Sequence, residues 1–240
     1  MSLASTKKFF EISGYESVDN GFAITLDGKK ISTHGGAPFV VPYEGLASAV
    51  AIEWENQDAN IQPDTMPLTG FCCTTLDIVA DERDSIVDQL VQYAKYDLLC
   101  YRSNDSSELQ SLQKICWQPL LDWVDIQYDA RLLVTTGISP IKQPKDTIFK
   151  LRNVIKDFNN FYITILSSIT KTSGSLVISL CIIGGHIGAD DAFNASQLDE
   201  IWQRKKWGED IEDMKRSNSL YTEILDAVRF LDLVRNAQGS

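Results

Sequence analysis

The spacing of apolar residues changes once along this chain, near Tyr43, and that change fixes the class of fold. Before it, Phe22, Ile24 and Leu26 alternate with Ala23, Thr25 and Asp27, the two-residue period of a half-buried strand. Asp27-Gly28 is a hairpin dipeptide, Ile31 resumes the apolar series, and His34-Gly35-Gly36 reads as a further turn. Phe39-Val40-Val41 reads as a short strand ended by Pro42. After Tyr43, Leu46, Ala49, Val50 and Trp54 recur at three and four residues and lie on one helical stripe. Two prolines between Asn60 and Pro67 predict a loop, and helical spacing returns through 71–79 and 86–97. Residues 98–102 suit either a strand or a helix end. Leu109, Leu112, Cys116, Leu120 and Trp123 mark a further helix, which Pro119 is expected to kink unless it begins a new turn. Leu132-Leu133-Val134 reads as a strand. Segments 148–158, 161–169, 176–183, 189–207 and 211–235 read as helices, with Ile211, Met214, Tyr221, Leu225 and Val228 expected on one face of the last. The expected architecture is α+β: an N-terminal antiparallel β-rich domain, residues 1–60, followed by a mostly α-helical C-terminal domain, residues 61–240.

Composition narrows the partners. A net charge of −11 on 240 residues disfavours a nucleic-acid backbone or an anionic membrane surface, which would repel it. The most apolar run, 176–183, is far shorter than the roughly 20 residues of a spanning helix, so no membrane insertion is expected. The first residues, MSLASTKKFFEI, carry neither an apolar signal core nor an Arg-rich amphipathic stretch, which predicts a cytoplasmic protein. Five cysteines with no CxxC spacing read as reduced, buried thiols.

No motif points to a reaction. The chain lacks GxxxxGK[ST], GxGxxG and HExxH, and its acids show no EF-hand spacing, so no cofactor and no metal are expected. The two histidines, His34 and His186, both adjoin glycines. One of them could serve a cysteine such as Cys72 or Cys181, but neither thiol sits in a catalytic signature, and no catalytic residue is assigned.

The distinctive residues are aromatic. Of five tryptophans, four adjoin a charge or a turn: Trp54, Trp123, Trp202 and Trp207. Segment 198–210, LDEIWQRKKWGED, concentrates two of them. Leu198, Ile201 and Trp202 have core-facing spacing, while Glu200, Gln203 and Trp207 fall on a neighbouring face. Gly208 is placed to end the helix and Glu209-Asp210 to cap the next one. On these residues alone the segment is either a structural corner or a docking surface of the kind tryptophan favours.

LDEIWQRKKWGED also resembles the C-terminal signature of the assembly chaperones that attend the alpha subunit of F-type ATP synthase, in mitochondria and alphaproteobacteria. Other strings follow the same family in order: Gly21-Phe22 through Leu26-Asp27-Gly28-Lys29, Glu53-Trp54, Met66-Pro67-Leu68-Thr69, Asp97-Leu98-Leu99-Cys100-Tyr101-Arg102, Pro119-Leu120-Leu121-Asp122-Trp123 and Gly174-Ser175-Leu176. Gly70, Cys72-Cys73 and His34 depart from the family's usual residues. The resemblance implies an ATP-independent chaperone rather than an enzyme. It would bind the unassembled alpha subunit, cover a surface destined for the beta subunit, and promote assembly of the catalytic sector. It further implies partner-facing roles for Glu200, Gln203, Trp207, Glu209 and Asp210, with Trp54 contacting the partner or supporting the fold. A cysteine–histidine enzyme and a structural subunit of a larger complex are the alternatives.

Overall fold

A computed structural model describes residues 6–104, 106–208 and 211–236. Strands Thr6–Lys7 (β1), Ser13–Val18 (β2), Gly21–Leu26 (β3), Lys29–Lys30 (β4) and Val40–Val41 (β5) precede the first helix, Glu44–Glu55 (α1). Asp27 and Gly28 both take positive φ, 48° and 72°, the primed-turn geometry whose twist matches that of paired strands. The Asp27 carboxylate accepts from the Glu11 and Ile12 N–H groups, both at 2.9 Å, and so pins the start of β2 to the turn. β3 is not half-buried as its alternation predicts: Ala23, Ile24, Thr25 and Leu26 are all buried. β2 on one side and β4 and β5 on the other pair both of its edges, α1 packs across it, and the burial of successive residues means that both of its faces are covered.

Asn60–Ile61 (β6) pairs with β1, and Pro67–Cys73 (α2) continues through a π-helical stretch, Thr74–Val79, into Ala80–Lys95 (α3). Met66, at the start of α2, offers no side-chain cap, and Pro67 needs none. Glu53 of α1 supplies it instead. Its carboxylate accepts from the Leu68 and Thr69 N–H groups and the Thr69 hydroxyl, each at 2.8 Å. Burial pushes the Glu53 carboxyl above its usual range, and these hydrogen bonds oppose the shift. Asp77, in the π-helical stretch, accepts from the Thr33 hydroxyl and from the Gly35 N–H at 2.9 Å, closing the turn at residues 33–36.

The remaining elements are Tyr101–Arg102 (β7), Ser107–Tyr128 (α4), Thr135–Thr136 (β8), Lys145–Asp157 (α5), Asn160–Ser173 (α6), Leu176–Ile183 (α7), Ala189–Ser196 (α8), Leu198–Trp207 (α9) and Ile211–Asn236 (α10). Residues 98–100 form a 3-10 turn, and the strand expected at 132–134 is instead β8, paired in parallel with β7. α4 runs unbroken through Pro119, contrary to expectation. Pro119 and Ile115 are both exposed, so water can take the Ile115 carbonyl that the proline leaves without an N–H. The helix expected over 189–207 is two, parted at Gln197. On α10 the buried side chains include Ile224, Ala227, Phe230, Leu231 and Val234, whereas Ile211, Met214 and Leu225 are exposed. The expected stripe is therefore misplaced in two ways: Ile211 and Met214 precede the first buried apolar residue of α10, and Leu225 points away from the face that Ile224 and Ala227 bury. Among the described residues, no helix is long and apolar enough to cross a membrane.

The chain divides into two compact units. One runs to Arg83 and resumes at Arg229; the other is Asp84–Val228. Residue 60, where the sequence suggests a boundary, lies in β6 within the first of these units. Glu82, at φ −108° and ψ 19°, breaks the regular path of α3 next to the first of these boundaries.

In the second unit all eight residues of α7 are buried, packed by α4, α6 and α8. Its N-terminus is capped twice. The Ser175 hydroxyl accepts from the Ile178 N–H at 3.1 Å and donates to Asp97 at 2.7 Å, while the other Asp97 oxygen accepts from the Val177 N–H at 3.1 Å. Just beyond α7, Gly184 lies against the Trp123 indole, on which His186 stacks with ring centroids 5.1 Å apart. A methyl group at Gly184 would overlap that indole. Gly184→Ala is therefore expected to cost roughly 1–3 kcal/mol in denaturant unfolding, and an unchanged midpoint would show that the indole yields freely.

Candidate functional site

α9 is the least buried of the long helices: none of its ten residues is fully covered. It is tied to α4 at two points. Gln113, buried on α4, donates to Asp199 at 2.8 Å, and Lys206 lies 3.6 Å from Glu108. Leu198, Ile201 and Trp202, expected in the core, are only half-buried. Lys206 covers the Trp202 ring at 3.9 Å from its centroid, and Trp207 meets it edge-on at 5.9 Å. The Trp202 Nε1–H is buried with no hydrogen-bond acceptor among the described residues. Acids in the first turn and Arg204, Lys205 and Lys206 in the last match the helix dipole, so part of this charge pattern stabilises α9 itself.

Glu200, Gln203 and Trp207 are brought together. They line a cleft of about 260 Å³ whose opposite wall is the start of α10, with Asp213 and Arg216. Trp207 is 73% exposed, an unusual state for the largest apolar side chain. A second cleft of about 380 Å³ adjoins the first through Arg204 and Ser217, which line both, and reaches Phe193 and Tyr221. There the Tyr221 hydroxyl donates to Asp190 at 2.5 Å and the Phe193 ring meets Tyr221 edge-on. The surface is thus of mixed charge, not purely acidic and aromatic. Asp213 and Arg216 escape the sequence pattern because single-helix periodicity cannot show what the next helix contributes, and Arg204, on α9 itself, is the further charge beside them. Glu209 and Asp210 lie outside the described residues. Trp54 belongs to the other unit, where its ring is half-buried against Phe10, Leu26, Ile61 and Met66, with its Nε1–H buried and unpartnered among the described residues.

The thiols offer no activated nucleophile. Burial raises every one of them, Cys181 to about 12 and Cys72 far above its usual value. His186 is committed to its stack on Trp123. Among the described residues no group of three or more His, Cys, Asp or Glu could hold a metal ion.

Residues 7–125 match the family model described as ATP12 chaperone protein. The chain is 23% identical over 216 residues to the mitochondrial protein atp12 of Schizosaccharomyces pombe, covering 85% of this chain and 74% of that relative. Its fold superimposes on the crystal structure of Atp12 from Paracoccus denitrificans with a TM-score of 0.91 and 32% identity, over 95% of this chain and 98% of the other. A candidate chaperone from Agrobacterium tumefaciens is similar at TM-score 0.90 and 28% identity, over 95% of this chain and 86% of that one.

Proposed function

This chain belongs to the ATP12 chaperone family, and on that premise we propose that it is a non-enzymatic chaperone that captures the unassembled alpha subunit of F-type ATP synthase. It does so in the bacterial cytoplasm, keeping the subunit soluble until the catalytic sector assembles. Alpha and beta subunits alternate in that sector, so a lone alpha subunit exposes an interface that would otherwise aggregate. The observation that carries the reading is α9: it adds little to either core, yet presents Trp207 beside Glu200 and Gln203 at the edge of a cleft. A largely exposed tryptophan ringed by polar and charged groups is the composition of an interface centre. Glu209 and Asp210 follow Trp207 closely in the chain and are assigned to the same contact surface. Trp54, largely occupied by its own packing, is assigned a supporting role.

Co-expression with the cognate alpha subunit should yield a soluble complex and reduce alpha-subunit aggregation. Trp207→Ala is expected to weaken capture by at least about tenfold, the loss of roughly 2 kcal/mol typical of a central aromatic contact. Glu200→Lys is expected to weaken it as well, with both variants melting within about 2 °C of the parent because neither side chain is buried. Undiminished capture by both variants would move the docking surface elsewhere. A large fall in melting temperature would make α9 a structural element.

A further inference from the structure

The second unit carries another cleft, of about 580 Å³, that the α9 surface does not involve. Tyr96, Pro140, Ile141 and Ile148 wall it, Lys95, Lys142 and Lys145 rim it, and no carboxylate among the described residues lines it. Its volume falls within the range of ligand clefts, roughly 300–1,000 Å³. Its charge runs against the chain's: three lysines converge on one apolar depression in a protein of net charge −11. The neighbouring polar groups are already engaged. Gln143 exchanges two hydrogen bonds with the Leu133 backbone, at 2.8 and 2.9 Å, and Asp146, next to Lys145 in the chain, pairs with Lys150 at 2.6 Å. Lys95 bonds a neutral amide, that of Gln92 at 3.1 Å. Tyr96 is 63% exposed.

We propose that this cleft docks an acidic, apolar peptide segment of a partner protein. Its apolar side chains would rest on Tyr96, Ile141 and Ile148, and its carboxylates would pair with Lys95, Lys142 and Lys145. Charge complementarity selects the acidic partner. The chain's net negative charge disfavours a polyanion such as RNA, which would meet repulsion beyond the cleft. The open apolar wall calls for a segment that brings its own apolar side chains, because carboxylates alone would leave it in water.

The test is fluorescence anisotropy on the full chain with a labelled peptide of alternating glutamate and leucine. The peptide should bind, and binding should weaken as salt rises. Lys142→Glu with Lys145→Glu should weaken binding at least about tenfold through reversal of two attractive charges, and Ile141→Asp should do the same at an unchanged melting temperature. Lys142→Ala should give a smaller loss and guards against misfolding of the double variant. Three outcomes overturn the proposal: equal binding by all these variants, equal binding of an alternating glutamate–serine peptide, or tighter binding of a single-stranded RNA. Trp207→Ala protein should bind the peptide like the parent, so failure here is distinguishable from failure of alpha-subunit capture.

Discussion

Replacing Asp97 with alanine is expected to destabilise the protein by roughly 2–4 kcal/mol at neutral pH and by more at pH 4. The carboxylate is fully buried and accepts from the Leu99 N–H at 3.1 Å, the Ser175 hydroxyl at 2.7 Å and the Val177 N–H at 3.1 Å. Alanine would strand donors in the turn at 98–100 and at the start of α7, the most buried helix, at about 1–3 kcal/mol each. An opposing effect exists. Burial raises the Asp97 carboxyl to about 6, although its hydrogen bonds favour the charged form. An unfolded aspartate titrates near 3.9, so between about pH 4 and 6 the unfolded chain ionises first and the native protein loses stability. That loss, about 3 kcal/mol for two pH units, is complete above pH 6 and absent below pH 4. The alanine variant has no such group, so the gap between parent and variant should narrow as pH rises through this window. Urea unfolding at pH 4, 5, 6 and 7 measures it. A gap that stays constant or widens with pH would show that Asp97 is ionised throughout.

The second large effect is expected at Glu53. With alanine there, the Leu68 and Thr69 N–H groups lose their acceptor, and α2 has no cap of its own to replace it. A loss of about 2–3 kcal/mol follows, some 5–10 °C in melting temperature for a chain of this size. Glu53→Gln retains one acceptor oxygen but turns an amide N–H₂ toward a donor, and should fall between parent and alanine. A change below about 0.5 kcal/mol for Glu53→Ala would mean that water caps α2 just as well.

These two carboxylates explain why short strings of residues suffice to mark the family. Glu53-Trp54 and Met66-Pro67-Leu68-Thr69 are separate strings that meet as acceptor and donors. Asp97 and Gly174-Ser175-Leu176 meet in the same way, almost eighty residues apart. These four strings thus carry hydrogen bonding that holds the fold. The hairpin at Asp27-Gly28 and most helices are also legible in the sequence, because turn chemistry and apolar period are local properties. The exceptions are tertiary: β3 is covered on both faces, α4 tolerates Pro119 at a wet surface, and α10 turns a different face to its core. The candidate surface is half legible. Glu200, Gln203 and Trp207 do share one side of α9, but Asp213 and Arg216 complete the cleft from a helix that no pattern ties to it.

α10 belongs to one unit up to Val228 and to the other from Arg229 onward. In the N-terminal unit, Phe230 stacks obliquely on Phe71 at 5.1 Å, and Leu231 and Val234 are buried as well. A ribosome making this chain therefore releases the strands and α1 long before the side chains that finish their core. Until residues 229–234 emerge, the first unit presents an apolar hollow to the cell, and a nascent chain cannot mature in the order in which it is synthesised.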